Sequence, residues 1–206
     1  MSGVAIIGWG SLIWDLDDLA PRVAGDWAMG AGPPLPLEFS RVSAKRLGAL
    51  AVCIDAEHGT DCPTHVIVSR RRSVGRALVD LALRERAPPG RIGAVSVGSG
   101  ARRLAHGRSA AVVARVADWC RTAGFDGAVW TDLDANFAEK TGSAFGMAAA
   151  EAYLAGLEGA SRVEAVRYIT QAPAATDTAL RRHLGAQAWW RREAAVLASP
   201  RIGADD

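Results

Sequence analysis

The chain has 206 residues, half of them hydrophobic and 22% charged, with a formal net charge of +2. That length holds one large domain with a substantial core, the composition excludes a disordered chain, and the near balance of charge excludes a strong field for nucleic acid. No apolar run reaches the ~20 residues that span a bilayer, and the Met1 end has no basic segment leading into a signal-peptide core, so the expected location is cytoplasmic, with no membrane partner.

Val4 to Ile7 are four apolar residues in a row, enough for a short buried strand. Gly8 and Gly10 follow, and glycine lets the backbone turn sharply and lie open to a ligand. Two familiar motifs are excluded here. A dinucleotide fingerprint needs a third glycine where Ile13 stands, and a nucleophile elbow needs glycines two residues on either side of Ser11. What remains is a strand that ends in a turn rich in backbone N–H groups.

Residues 15–32 read as a surface connection with a helical turn, and Pro33, Pro34 and Pro36 then interrupt regular structure. A strand begins near Leu37. Its two-residue period puts Leu37, Phe39 and Arg41 on one face and Glu38, Ser40 and Val42 on the other, so Arg41 marks a polar site at the strand's end. Residues 47–55 and 65–69 are two more strands, joined by a polar connection and predicted to pair antiparallel. The connection holds His58, Asp61 and Cys62, with His65 at its exit. A structural zinc site needs four well-spaced ligands, so a polar hairpin loop is the simpler account and no metal is expected. The cysteines Cys53, Cys62 and Cys120 are too few and too scattered for a disulfide framework, and reduced thiols are expected.

Residues 73–85 carry a second signal. Ser73 is a helix cap, and Val74, Leu78 and Leu81 recur at helical spacing. Glu85 lies four residues beyond Leu81, so the stripe that faces the core ends in a carboxylate. Pro88 and Pro89 stop the helix. Burial and the negative end of the helix dipole both disfavour the ionised form there. The carboxylate is either paired, with Arg84 or Arg86, or retained as an acid or base.

The two stretches together resemble the gamma-glutamylcyclotransferase superfamily, and most of all its ChaC-like branch. The carriers are Gly8-Trp9-Gly10-Ser11-Leu12-Ile13-Trp14 after an N-terminal strand and the Arg84-Glu85 dipeptide at the end of a helix, with Phe39-Ser40-Arg41, Arg46 and Gly48 similar to the family's second strand region. The resemblance covers residues 4 to 86. It implies an α+β fold, a small mixed β-barrel with flanking helices, and a γ-glutamyl small molecule as partner, with no cofactor. It also implies that Gly8, Trp9, Gly10, Ser11 and Leu12 hold the γ-glutamyl group and that Glu85 moves protons. Trp9 stands where the family has tyrosine, and Pro88-Pro89 replaces its glycine and tyrosine.

In the second half, residues 92–97 read as a strand. Val112, Val113, Val116, Trp119, Cys120 and Ala123 share one face of a helix over 109–123, which Gly124 ends. Trp119 and Cys120 are core residues by that placement. Residues 125–137 read as a short strand entering a polar turn, where Trp130, Thr131 and Asn136 are placed to line a pocket and Thr131 and Asp132 are placed to cap the next helix; capping is the commoner use of these residue types. A helix over 144–157 closes at Gly159, Ser161-Arg162-Val163-Glu164 matches a capping box, and Asp177 or Thr178 caps a further helix carrying His183. No linker or repeat divides the chain, so 1–206 is one domain, with 109–200 a mainly helical elaboration that serves as a lid or as the surface of a homodimer.

Arginines cluster at 70–72, 102–103, 181–182 and 191–192, the last beside Trp189 and Trp190. These runs are short and have acidic neighbours, so a solvated face or a subunit contact is expected rather than nucleic acid. The leading function is therefore an intramolecular acyl transfer that releases 5-oxoproline, with Glu85 as acid and base. The alternatives are a noncatalytic protein that binds a small ligand in the same pocket, and a serine hydrolase using Ser11, for which no His/Asp pair is evident.

Overall fold

The computed structural model describes residues 3–98 and 104–199. In chain order its strands and helices are β1 (Val4–Gly8), β2 (Val23–Ala28), β3 (Leu35–Val42), β4 (Leu50–Ile54), β5 (Thr60–Cys62), β6 (His65–Ser69), α1 (Val74–Glu85), β7 (Ile92–Ser96), β8 (Ala105–His106), α2 (Ala110–Ala123), β9 (Gly127–Thr131), α3 (Phe137–Thr141), α4 (Met147–Gly156), α5 (Gly159–Gln171), α6 (Ala179–Ala186) and α7 (Ala188–Ala198). The fold is mixed α+β. The strands form a six-stranded sheet in the order β2-β6-β1-β9-β7-β8 and a three-stranded sheet in the order β4-β3-β5.

β1 lies inside the larger sheet, antiparallel to β6 and parallel to β9. A strand covered on both faces needs a continuous apolar run rather than alternation, and all five β1 positions are buried. Its side chains divide by parity. Val4 and Ile6 join the cluster made with Val74, Ala77 and Leu81 of α1, while Ala5 and Ile7 join the larger cluster that holds Leu37 and Phe39, Val116 of α2, and the later helices. The molecule is thus layered as helix, large sheet, then small sheet with helices.

The expected closed barrel is not found among the described residues. β3 bonds only to β4 and β5, so no ladder joins the two sheets, and the larger one ends at β2 and β8. The antiparallel pairing expected between residues 47–55 and 65–69 is also absent. β4 pairs with β3, whereas β6 lies between β2 and β1. The reason is local: the connection contains β5, which adds to β3, and the apolar β6 fills a central position in the other sheet. β2 arises where only a connection was expected. It is an edge strand with a register shift between Ala24 and Ala28 and with Gly25 at φ +71°, so it shows no alternation.

The second half is not an appendage, because its β9 separates β1 from β7 at the centre of the sheet. α2 begins at Ser109, whose hydroxyl accepts the Val112 amide, and ends at Gly124 with φ +77°, as the sequence predicts. The capping box at Ser161 does not form. Gly159 opens α5 instead of closing α4, and Glu164, inside that helix, pairs with Arg46 and Arg167. Thr178 does cap α6, accepting the Arg181 amide. No helix among the described residues is long and apolar enough to cross a membrane.

Candidate active site

β1 delivers Gly8 to the end of the sheet, and residues 11–13 then form one turn of 3-10 helix whose first bond runs from the Ile13 amide to the Gly10 carbonyl. The Ser11 and Leu12 amides precede that bond, so they take no partner within the turn. The glycines are needed for close approach. A Cβ on Gly8 would lie 2.7 Å from the Trp27 ring, and one on Gly10 would lie 2.9 Å from Val52 Cγ1 and 3.0 Å from the Tyr168 hydroxyl. Trp9 is buried, and its carbonyl accepts a 2.7 Å hydrogen bond from the Thr176 hydroxyl, which ties the loop to the chain between α5 and α6.

Glu85 closes α1 with its side chain 13% exposed, because it continues the stripe of Leu81, which is fully buried. Arg86 adopts φ +52° and ends the helix. The Arg84 guanidinium, 2% exposed, donates to Glu85 Oε1 at 2.8 Å and also to the Asp15 carbonyl just past the loop. Thr131, at the end of β9, donates its hydroxyl to the same Oε1 at 3.3 Å. Arg84 is thus the partner of Glu85, while Arg86 pairs at 3.4 Å with Asp17. The Arg84 Nε atom is buried without a partner among the described residues.

The loop and the carboxylate share one cavity of about 380 Å³. Gly8, Trp9, Gly10, Ser11, Leu12, Arg41 and Glu85 all line it, so the residues of the glycine turn, the end of β3 and the end of α1 are brought to one place. Arg41, near the end of β3, donates to the Asp134 carbonyl at 2.7 Å. Burial holds its pKa below the usual arginine value, with Arg91 and Arg108 adding to the effect, yet a guanidinium remains a cation. The carboxylate of Asp134 pairs with both Arg91 and Arg108. The lining sets Arg41, Lys45, Arg46, Arg84, Arg86 and Arg91 against Glu85 and Asp134, and even with Arg46 paired to Glu164 and Arg86 to Asp17 outside it a positive excess remains, which favours an anionic ligand.

Several residues outside the recognised stretches enter the wall, among them Thr131 and Tyr168. For Thr131 the pocket placement holds and the capping one fails. The next helix begins only at Phe137, and the Asp132 carboxylate accepts the Arg108 amide instead. Trp130 is wholly buried in the core, and Asn136 bonds to the Val42 amide at 2.8 Å, pinning the end of β3. Tyr168 carried no signal in the sequence beyond its place in a helix.

The other candidate clusters have structural occupations. His58 lies 3.5 Å from Asp55, Asp61 pairs with Arg115, Cys62 is buried, and His65 Nδ1 accepts the Gly30 amide. Among the described residues no group of three or more His, Cys, Asp or Glu side chains is placed to hold a metal ion. Arg71 pairs with Asp80, Arg181 donates to the carbonyls of Pro173, Thr176 and Ala172, and Arg182 pairs with Asp177. Trp190 is buried, and Trp189 and His183 both bond to Glu151, the partner the sequence did not reveal. Arg102 and Arg103 lie outside the described residues. No histidine of the described residues lines the cavity beside Ser11. No family model, curated protein or solved structure matches this chain.

Chemically, the cavity presents a carboxylate held by a guanidinium and a hydroxyl, a turn whose Ser11 and Leu12 amides take no partner within it, and a basic wall. That combination suits proton transfer on a bound anionic molecule.

Proposed function

We propose that the protein is a γ-glutamylcyclotransferase-like enzyme that cyclises a γ-glutamyl amine or peptide to 5-oxoproline and a free amine. The observation that carries this reading is that the Gly8–Leu12 turn and Glu85, distant in sequence, line the same cavity. The α-amine of the substrate attacks its own γ-carbonyl, so the reaction needs no cofactor and no enzyme nucleophile. Glu85 takes the proton from the attacking nitrogen and returns it to the leaving nitrogen. Amides of the Trp9–Leu12 turn stabilise the oxyanion, and Arg41 holds a carboxylate of the substrate. The γ-glutamylcyclotransferase-like fold type belongs to the same proposal and rests on the β1-to-loop connection and on a helix that ends in Arg84-Glu85.

Purified protein is to be incubated with a panel of γ-glutamyl amino acids and amines, and 5-oxoproline measured. Glu85→Gln is expected to lower turnover by about 10²- to 10⁴-fold, the usual worth of a general acid–base group. Activity unchanged in that variant would sink the mechanism. The 2.8 Å Arg84–Glu85 pair favours a second reading, in which the carboxylate is structural and the cavity only binds its ligand. Thermal stabilisation by the same compounds with no 5-oxoproline released is the outcome that selects it.

A further inference from the structure

Tyr168 reaches the cavity from α5, beyond the stretch that the resemblance covers. It is 3% exposed, and its hydroxyl oxygen lies 3.0 Å from the point a Cβ on Gly10 would occupy, directly against the turn that presents the Ser11 and Leu12 amides. Its ring is held firmly. Trp14 and Phe39 meet it edge to face, with centroids at 5.8 and 6.2 Å, and the Arg46 guanidinium lies 4.3 Å from its centre. The register shift in the β3–β4 ladder leaves Val52 out of strand pairing, and the Val52 amide faces the phenol oxygen.

The hydroxyl proton is therefore available. The chain's other tyrosine, Tyr153, gives its proton to the Gly48 carbonyl at 2.7 Å, whereas Tyr168 has no such acceptor among the described residues. Burial pushes the Tyr168 phenol pKa up, Arg46 draws it down, and the nearby Glu85 charge adds to the rise. At neutral pH the group is a donor, in the wall of the cavity that the turn and Glu85 also line, where such a donor acts strongly on developing charge.

We propose that Tyr168 is a catalytic residue whose hydroxyl donates a hydrogen bond to the γ-carbonyl oxygen of the bound γ-glutamyl compound, a contact that strengthens as the oxyanion forms. The assignment rests on the cyclotransfer reading above. As the new C–N bond forms to the α-amine and the bond to the leaving amine breaks, Glu85 carries the proton between the two nitrogens and Tyr168 keeps its own. Nothing is oxidised and no water is consumed.

The test compares wild type with Tyr168→Phe, which keeps the packed ring and removes only the hydroxyl, using 5-oxoproline release from γ-glutamylglycine. Loss of one oxyanion donor is expected to lower kcat by about 100-fold, with KM and the urea midpoint close to wild type. Wild-type kcat in the variant overturns the assignment. A second measurement avoids the substitution: fluorotyrosine placed at both tyrosines of the Glu85→Gln protein, titrated with γ-glutamylglycine and followed by ¹⁹F NMR. The Tyr168 resonance is expected to shift and the Tyr153 resonance to stay, and a Tyr168 resonance unmoved at saturation overturns the contact. Release by wild type with an unaffected Tyr168→Phe ends this assignment alone, whereas no release by wild type from any γ-glutamyl compound ends the cyclotransfer reading and takes this assignment with it.

Discussion

Gly10 stands where a side chain has no room, between the γ-methyl of Val52 and the Tyr168 hydroxyl. Both neighbours are held by their own packing, so Gly10→Ala has to move the turn. It is expected to cost about 1–3 kcal/mol of stability, as overpacked sites do, and to lower kcat/KM by displacing the Ser11 and Leu12 amides. Urea denaturation and the 5-oxoproline assay together check this, and a variant indistinguishable in both would show that the turn yields freely. The need for glycine was legible in the sequence, as was the inward position of Glu85, because both follow from local spacing. Glu38 was not. Periodicity put it opposite Leu37 and Phe39, yet it is wholly buried, with one carboxylate oxygen accepting the Phe39 amide at 2.7 Å and the other the Leu180 amide at 3.2 Å. Burial pushes its pKa up, against the hydrogen bonds from Thr178, Phe39 and Leu180 that draw it down. A strand's period divides its two faces but does not tell whether a helix end covers the second one.

Between elements, Asp80 is the joint that fastens α1 to its surroundings. Its carboxylate, 5% exposed, meets Arg22 at the end of the 310 helix of residues 17–22 and Arg71 just past β6, both at 2.6 Å. Burial raises the Asp80 pKa, but the hydrogen bond and charge of Arg71 and the charge of Arg22 outweigh it and hold the group below the ordinary aspartate value. The unfolded chain then binds this proton more readily than the folded one does. Asp80 therefore adds stability that is fully present above the unfolded value and is lost as pH falls through the folded one. Asp80→Asn is expected to lower the urea midpoint at neutral pH and to flatten the acid limb of the midpoint-against-pH curve. Parallel curves for the two proteins would refute the assignment. Neither arginine was legible as a partner: Arg22 is 58 residues from Asp80, and Arg71, nine residues away, lies in the connection before α1 with no helical spacing to it, so only the docking of α1 brings them in.

For the whole molecule, the decisive element is β9. Its parallel register with β1 runs from Val4 opposite Gly127 to Ile7 opposite Trp130, and its other edge pairs with β7 from Ile92 opposite Thr131 to Ser96 opposite Gly127. A chain that ends at residue 108 lacks this strand, which splits the sheet and uncovers β1, and also lacks the helices that complete the larger cluster around Ile7. Such a fragment is expected to show no cooperative urea transition by circular dichroism. A folded fragment would mean that the two halves do not share a core.

By itself the sequence determined the helices over 73–85 and 109–123, the glycine turn, and the inward carboxylate, because each depends on residues within a few positions of one another. It also carried the resemblance that joined the turn to Glu85. Only the tertiary structure decided which strands pair, that two open sheets form instead of a barrel, that Arg84 rather than Arg86 holds Glu85, and that Tyr168 faces the turn. These are contacts between segments far apart in the chain, and residue spacing constrains the face a side chain occupies without naming what will be packed against it.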